Sequence, residues 1–394
     1  MLSNLRELNR KSRSETLDRL KALPRKLRQR GLHWGIKRFW QELFLPTTPA
    51  TGVVRDKLAQ LHRILRPWRD ATPANLLPAF YDLGINPVTF DFAWFIVGAE
   101  MAARSAGKAG FLLVLVPGTV DGLREEANDY EQVVDVESRK WRLRNILLPV
   151  ASLSPACRSI VLCTTRDQAA KYVSHIGDEN YPPHYQPRFP RGFDYVDFFS
   201  KADRPGSFEG LRASEQGRRY VANWANGHAK GRKLITVTLR NQLYQQSRNS
   251  NFDSWLQFLN GLDRQIYAPV IVPDTDAALD LLLAPSDLII FREAAWNIGL
   301  RMSLYEFAYA NLFVNNGPAA LAHLNPLCHY LFTNIVVPDY PQSTEGFLIQ
   351  RGIQPNQSPR FATRGQIWWW KQDSMQNLRD GFQTLIETIE ENGG

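Results

Sequence analysis

The sequence predicts an α/β chain built on parallel sheets, and three observations carry that expectation. Short apolar runs alternate with amphipathic segments from Leu234 to Val337. Phe111–Val116 is a continuous apolar run stopped by Pro117-Gly118, as in a strand buried on both faces. The crossings from strand to helix are polar and carry arginine, asparagine and glycine, notably Leu239–Asn251 and Asn315–Pro318. Such crossings open at the carboxyl edge of a doubly wound sheet, where ligands bind.

With 394 residues the chain has room for two or three domains, and 44% apolar and 22% charged residues are ordinary for a globular protein. No apolar run reaches the length of a spanning helix, and the N-terminus lacks the apolar segment of a secretory signal, so a cytoplasmic location is expected. Cys157, Cys163 and Cys328 have no metal-ligand spacing and fit a reducing compartment as small hydrophobes. The formal charge of +8 is unevenly placed. Residues 1–45 hold twelve Lys/Arg against four Asp/Glu, and residues 46–70 hold five against two. The rest of the chain is therefore close to neutral.

In chain order, residues 1–45 carry Leu5, Leu8, Leu17, Leu20, Leu23 and Leu27 at helical steps, with a break at Pro24. Leu32, Trp34, Phe39 and Trp40 follow. Basic residues beside Trp, Phe and Leu suit a helix lying on an anionic membrane surface. Nucleic-acid binding, the less expected use, and a helix docked on the protein's own body compete with it. Residues 46–90 are punctuated by six prolines and read as a linker with a short helix. Asp91–Ser105 reads as a buried helix. Strands are expected at Gln132–Val136 and Ser159–Cys163, with helices around Arg139–Leu148 and Asp167–Ser174. The Pro/aromatic stretch 177–207 reads as an interdomain connection, or as a lip for an acceptor.

The second half is more regular. A helix at Glu215–Trp224 precedes five strands: Leu234–Leu239, Pro269–Val272, Leu288–Phe291, Leu312–Val314 and Ile335–Val337. Helices at Phe252–Leu262, Ala277–Leu283, Leu304–Ala310 and from Pro318 connect them. In the first crossing, Arg240 and Arg248 stand near a helix start beside Asn249 and Ser250, chemistry suited to a phosphate or diphosphate. A solvated loop whose arginines pair with surface carboxylates is the plainer alternative. At the second crossing, Asn316 and Gly317 before Pro318 present an anion-capable turn, or simply a tight one. Ser303-Leu-Tyr-Glu306 spells a capping box. Asp274-Thr275-Asp276 spells a metal-diphosphate pattern, but its place favours a helix cap. Asp91 is either a partner of its helix dipole or a general base for a hydroxyl.

The segments T-V-T-L-R at 236–240, R-N-S-N at 248–251 and L-Y-E-F-A-Y-A-N-L-F-V-N-N-G-P-A-A-L-A at 304–322 resemble the donor-binding domain of GT-B glycosyltransferases. The nearest likeness is to heptosyltransferase-like and fucosyltransferase-like bacterial enzymes. The resemblance implies two Rossmann-like domains facing a cleft, a nucleoside-diphosphate sugar as co-substrate, no cofactor and usually no metal. It carries Arg240, Arg248, Asn249, Ser250, Asn316 and Gly317 over as donor-binding, with Asp91 as the candidate base. The glycine-rich acceptor loop after a first strand is not evident. The implied division is a basic arm and linker (1–72), an acceptor domain (73–207), a donor domain (208–350) and a tail helix (351–394). The acceptor is then a glycan or lipid-linked molecule in bacterial surface polysaccharide synthesis. An epimerase-like enzyme and a non-catalytic membrane-surface scaffold are the alternatives.

Overall fold

A computed structural model describes residues 31, 33–37, 40–41, 49–65, 71–174, 179–273 and 288–392. The leucine-spaced arm before residue 31, the Asp274–Asp276 pattern and the helix expected at Ala277–Leu283 lie outside the described residues. Two α/β units, each on its own parallel sheet, make up the body. No described helix is long and apolar enough to cross a membrane.

The first unit contains β1 (Leu76–Asp82), β2 (Gly110–Val116) and β3 (Cys157–Leu162), side by side in that order. Strand β1 corrects the expectation of a linker over 46–90. Its seven residues are all buried although Pro78 lies among them. The Pro78 carbonyl accepts from Tyr181 N at 2.9 Å, so the proline's donor-less nitrogen also faces away from β2. The ladder to β2 stays intact, which is how an edge strand tolerates proline.

The helix Phe92–Ser105 crosses from β1 to β2 and is buried almost all round, as its apolar sequence requires. Phe92 and Phe95 set their rings edge-on to Tyr81 of β1 at 4.6 and 5.0 Å. The strand expected at Gln132–Val136 is absent. Asp135 instead accepts from Ser138 N at 2.7 Å and starts a helix at Val136–Arg142, with a short helix Asn128–Glu131 before it. Residues 179–207 wrap the first unit and include the helix Tyr195–Lys201.

The second unit has six strands where five were expected. They are β4 (Lys233–Thr238), β5 (Tyr267–Ile271), β6 (Ile289–Ile290), β7 (Ala310–Phe313), β8 (Tyr330–Phe332) and β9 (Gln366–Trp368). Their order is β6-β5-β4-β7-β8-β9, all parallel. The chain runs outward from β4 and returns to its other side at β7, so the topological switch falls between the ends of β4 and β7. Ile335–Val337 is not a strand; β8 and β9 occupy that edge.

The tail is not separate from this unit. Leu378, Phe382 and Leu385 of the helix Met375–Asn392 share a core with Val237 and Leu312, so the second sheet extends beyond residue 350. The capping-box reading also fails. The helix Ile298–Phe307 starts at Asn297, which accepts from Leu300 N at 3.0 Å, and Ser303 lies inside it. Glu306 accepts from Ala213 N, Arg218 Nε and Asn325 Nδ2 at 2.6, 2.9 and 2.8 Å.

Candidate functional site: a cationic cleft at the switch point

A cleft of about 1120 Å³ lies between the two units and is floored by the loops after β4 and β7. The first unit contributes Asp91, Trp94, Arg124, Tyr130, Trp141, Arg142 and Tyr195. The second contributes Arg240, Tyr244, Arg248, Arg301, Asn315–Pro318, Tyr340 and Arg351. Six arginines line it against three carboxylates, Asp91, Glu126 and Glu137, a surplus of three positive charges. Two aromatic pairs cross it. Tyr130 meets Tyr244 edge-on at 5.1 Å, and Trp141 meets Trp296 at 5.4 Å.

The loop Leu239–Asn251 divides its labour differently from what its sequence suggests. Arg240 lines the cleft, yet its guanidinium turns back to donate to the carbonyls of Tyr244 and Gln245 and to Asn249 Oδ1. Asn249 also bridges both backbone polar groups of Gln242, and Ser250 Oγ accepts from Arg240 N at 2.9 Å. Asn249 and Ser250 therefore shape the loop and do not line the cleft. Nor is the following helix start open to a phosphate. Buried Asp373 accepts from Asn251 N at 2.8 Å and from Trp255 Nε1 at 2.9 Å, so the protein supplies its own anion there.

Arg248 is the half-buried, cleft-facing cation of this loop. It donates to Asn315 Oδ1 at 3.0 Å and to Gln245 Oε1 at 2.9 Å, and lies 4.5 Å over the Tyr340 ring. Its Nε is buried with no hydrogen-bond partner, and Arg248 forms no ion pair among the described residues. Burial pushes its pKa down, while the fields of Tyr340 and Asp91 oppose that shift. An anion beside it would supply both the missing acceptor and the missing charge.

Arg301 was not singled out in the sequence. It is 2% exposed and donates to the carbonyls of Ala294 and Pro273 at 2.6 and 3.2 Å, with no carboxylate partner among the described residues. A guanidinium buried among neutral groups is costly, and an incoming anion offsets that cost. Its signal was available, because Arg301 falls on the same helical face as Ile298, Met302 and Tyr305.

The second turn closes the floor. Asn316 Nδ2 donates to Thr238 O at 2.9 Å and its Oδ1 accepts from Ala319 N at 3.1 Å, tying the β4 and β7 ends together. A Cβ on Gly317 would stand 3.0 Å from the Phe90 ring, so glycine here lets the first unit approach the turn. Across the cleft, Asp91 Oδ1 accepts from Tyr195 OH at 2.8 Å and Oδ2 from Thr89 Oγ1 at 3.0 Å. Burial, with the Asp91 charge second, holds the Tyr195 phenol well above its ordinary pKa, so it remains a donor. Asp91 makes no side-chain bond to its own helix start.

A single glycine, Gly84, follows the first strand, and it is not part of the cleft lining. It donates its N–H to Asp82 Oδ1 at 2.9 Å, and comes close to Gly118 after β2.

Two α/β units, each on its own parallel sheet, thus face a shared cleft lined by six arginines. No family model and no curated protein matches the chain. Among solved structures it is similar to a glycosyl transferase of family 9 from Veillonella parvula DSM 2008. The identity is 8% and the TM-score 0.45, over 79% of this chain and 97% of that one. It is also similar to the wall teichoic acid polymerase TagF, at 9% identity and TM-score 0.30, over 86% of this chain and 89% of that one.

Proposed function

We propose that the chain is a glycosyltransferase that moves a sugar from a nucleoside-diphosphate donor to a glycan or lipid-linked acceptor. The proposed setting is the cytoplasmic synthesis of a bacterial surface polysaccharide. The observation that carries this reading is Arg248, a partly desolvated cation with an orphaned Nε at the switch point of a six-stranded parallel sheet. With Arg301 behind it, it offers fixed positive charge where a diphosphate leaves, a contribution that grows as the bond to the sugar breaks.

Asp91 stands on the opposite unit, near enough for its charge to act on both Arg248 and Tyr340. Tyr195 and Thr89 orient its carboxylate, which takes the proton from the acceptor hydroxyl as that oxygen attacks the anomeric carbon. The diphosphate departs with the bonding electron pair. Trp94, Phe193 and Phe199 beside Asp91 supply ring faces for the acceptor.

A thermal-shift screen of the whole chain against nucleoside diphosphates tests the reading. Stabilisation by at least one of them is expected. Indifference to all of them would remove its basis.

A further inference from the structure

The helix Pro49–Leu65 presents apolar side chains on the wrong side for a water-facing surface. Its inner side is fixed by buried Ala59 and by Arg55, which donates to the Pro190 carbonyl at 3.0 Å and pairs with Asp56. Its outer side carries Val53, Val54, Lys57 and Leu61, which share one face by helical spacing. The three aliphatic side chains are 57%, 53% and 52% exposed. Ile36 and Trp40, both helical and earlier in the chain, are exposed too.

We propose that this outer face is a docking surface for an anionic lipid bilayer, in which Val53, Val54 and Leu61 enter the headgroup boundary. Charge decides between the possible occupants. Residues 1–70 hold seventeen Lys/Arg against six Asp/Glu, whereas the remaining residues hold thirty against thirty-three. The chain's own arm carries the same sign as this helix, so folding it onto that face is electrostatically unfavourable. A second copy would bring the same basic segment against itself. Anionic headgroups match both the aliphatic face and the basic surplus around it. The arm extends the attachment, while the docked helix sets how the body sits on the surface. This holds whether or not the cleft transfers sugars.

The test is co-sedimentation of the full chain with vesicles. Binding is expected to phosphatidylcholine vesicles containing about 30% phosphatidylglycerol, and not to pure phosphatidylcholine. The double variant Val53→Asp, Leu61→Asp should weaken it about tenfold or more with an unchanged melting temperature. Lys57→Glu should weaken it less, and only at low salt. Undiminished vesicle binding by the double aspartate variant overturns the proposal. So does a dimer in sedimentation velocity that this variant abolishes, which makes a second copy the occupant. A lipid-free fall in melting temperature also overturns it, because the chain's own arm then covers the face.

Discussion

Arg248→Ala isolates the feature on which the functional reading turns. Among the described residues the guanidinium contacts neutral groups: Asn315 Oδ1 at 3.0 Å, the Asn315 carbonyl at 3.2 Å, Gln245 Oε1 at 2.9 Å and the Tyr340 ring. Losing these is offset in part by relief of a desolvated charge, so stability should fall by only about 1 kcal/mol. A bound diphosphate loses much more. One charge-assisted hydrogen bond in a partly dry site contributes about 1.5–3 kcal/mol, which raises Kd roughly 10- to 150-fold. Calorimetric titration with the best nucleoside diphosphate measures this, with a thermal melt of the variant as the fold check. Arg240→Ala should behave in the opposite proportion, because its guanidinium closes the loop through Tyr244, Gln245 and Asn249. It should depress the melting temperature more than Arg248→Ala does. A Kd for Arg248→Ala within about twofold of the parent would refute the reasoning.

Asp91→Asn preserves the size of the side chain held by Tyr195 and Thr89 and removes only its basicity. Sugar transfer should fall by about 100-fold or more while nucleotide affinity stays, measured as initial rate and calorimetric Kd side by side. Asp373→Ala strands Asn251 N and Trp255 Nε1 without their acceptor, and should cost about 2–4 kcal/mol in urea unfolding. His323, ringed by Tyr330, Phe332 and Trp368, is held neutral by burial, its pKa lowered to about 3 from 6.5. Between those values the unfolded chain binds a proton that the native state refuses, so stability falls as pH falls. The slope is at most about 1.4 kcal/mol per pH unit from this group. His323→Phe should flatten that part of the urea-midpoint profile; an unchanged profile would remove His323 as its source.

The second unit was largely legible because its strands before β8 are mostly apolar and set off by polar crossings, and periodicity reads such runs directly. The first unit was less so. Pro73 and Pro78 made β1 look like a linker, and only tertiary pairing with Tyr181 explains why a proline sits there. Strand β9 is three residues long, too short for any periodicity, and the helix behind it had no evident sheet to cover. For the site, the loops singled out in the sequence do line the cleft, but two of their side chains, Asn249 and Ser250, do not. Arg240 and Arg248 look equivalent in the sequence, since nothing local tells which guanidinium closes the loop and which faces the cleft. The role of Asp373 depends on a contact spanning more than a hundred residues, which no local motif encodes.

The most direct test of the central claim is mass analysis of the full chain incubated with a nucleotide sugar, with and without a glycan or lipid-linked acceptor. Release of the nucleoside diphosphate is expected together with an acceptor heavier by one sugar residue, both dependent on acceptor and both lost in Asp91→Asn. An isomerised donor formed without acceptor, or a donor that binds and remains intact with every acceptor class, would contradict it.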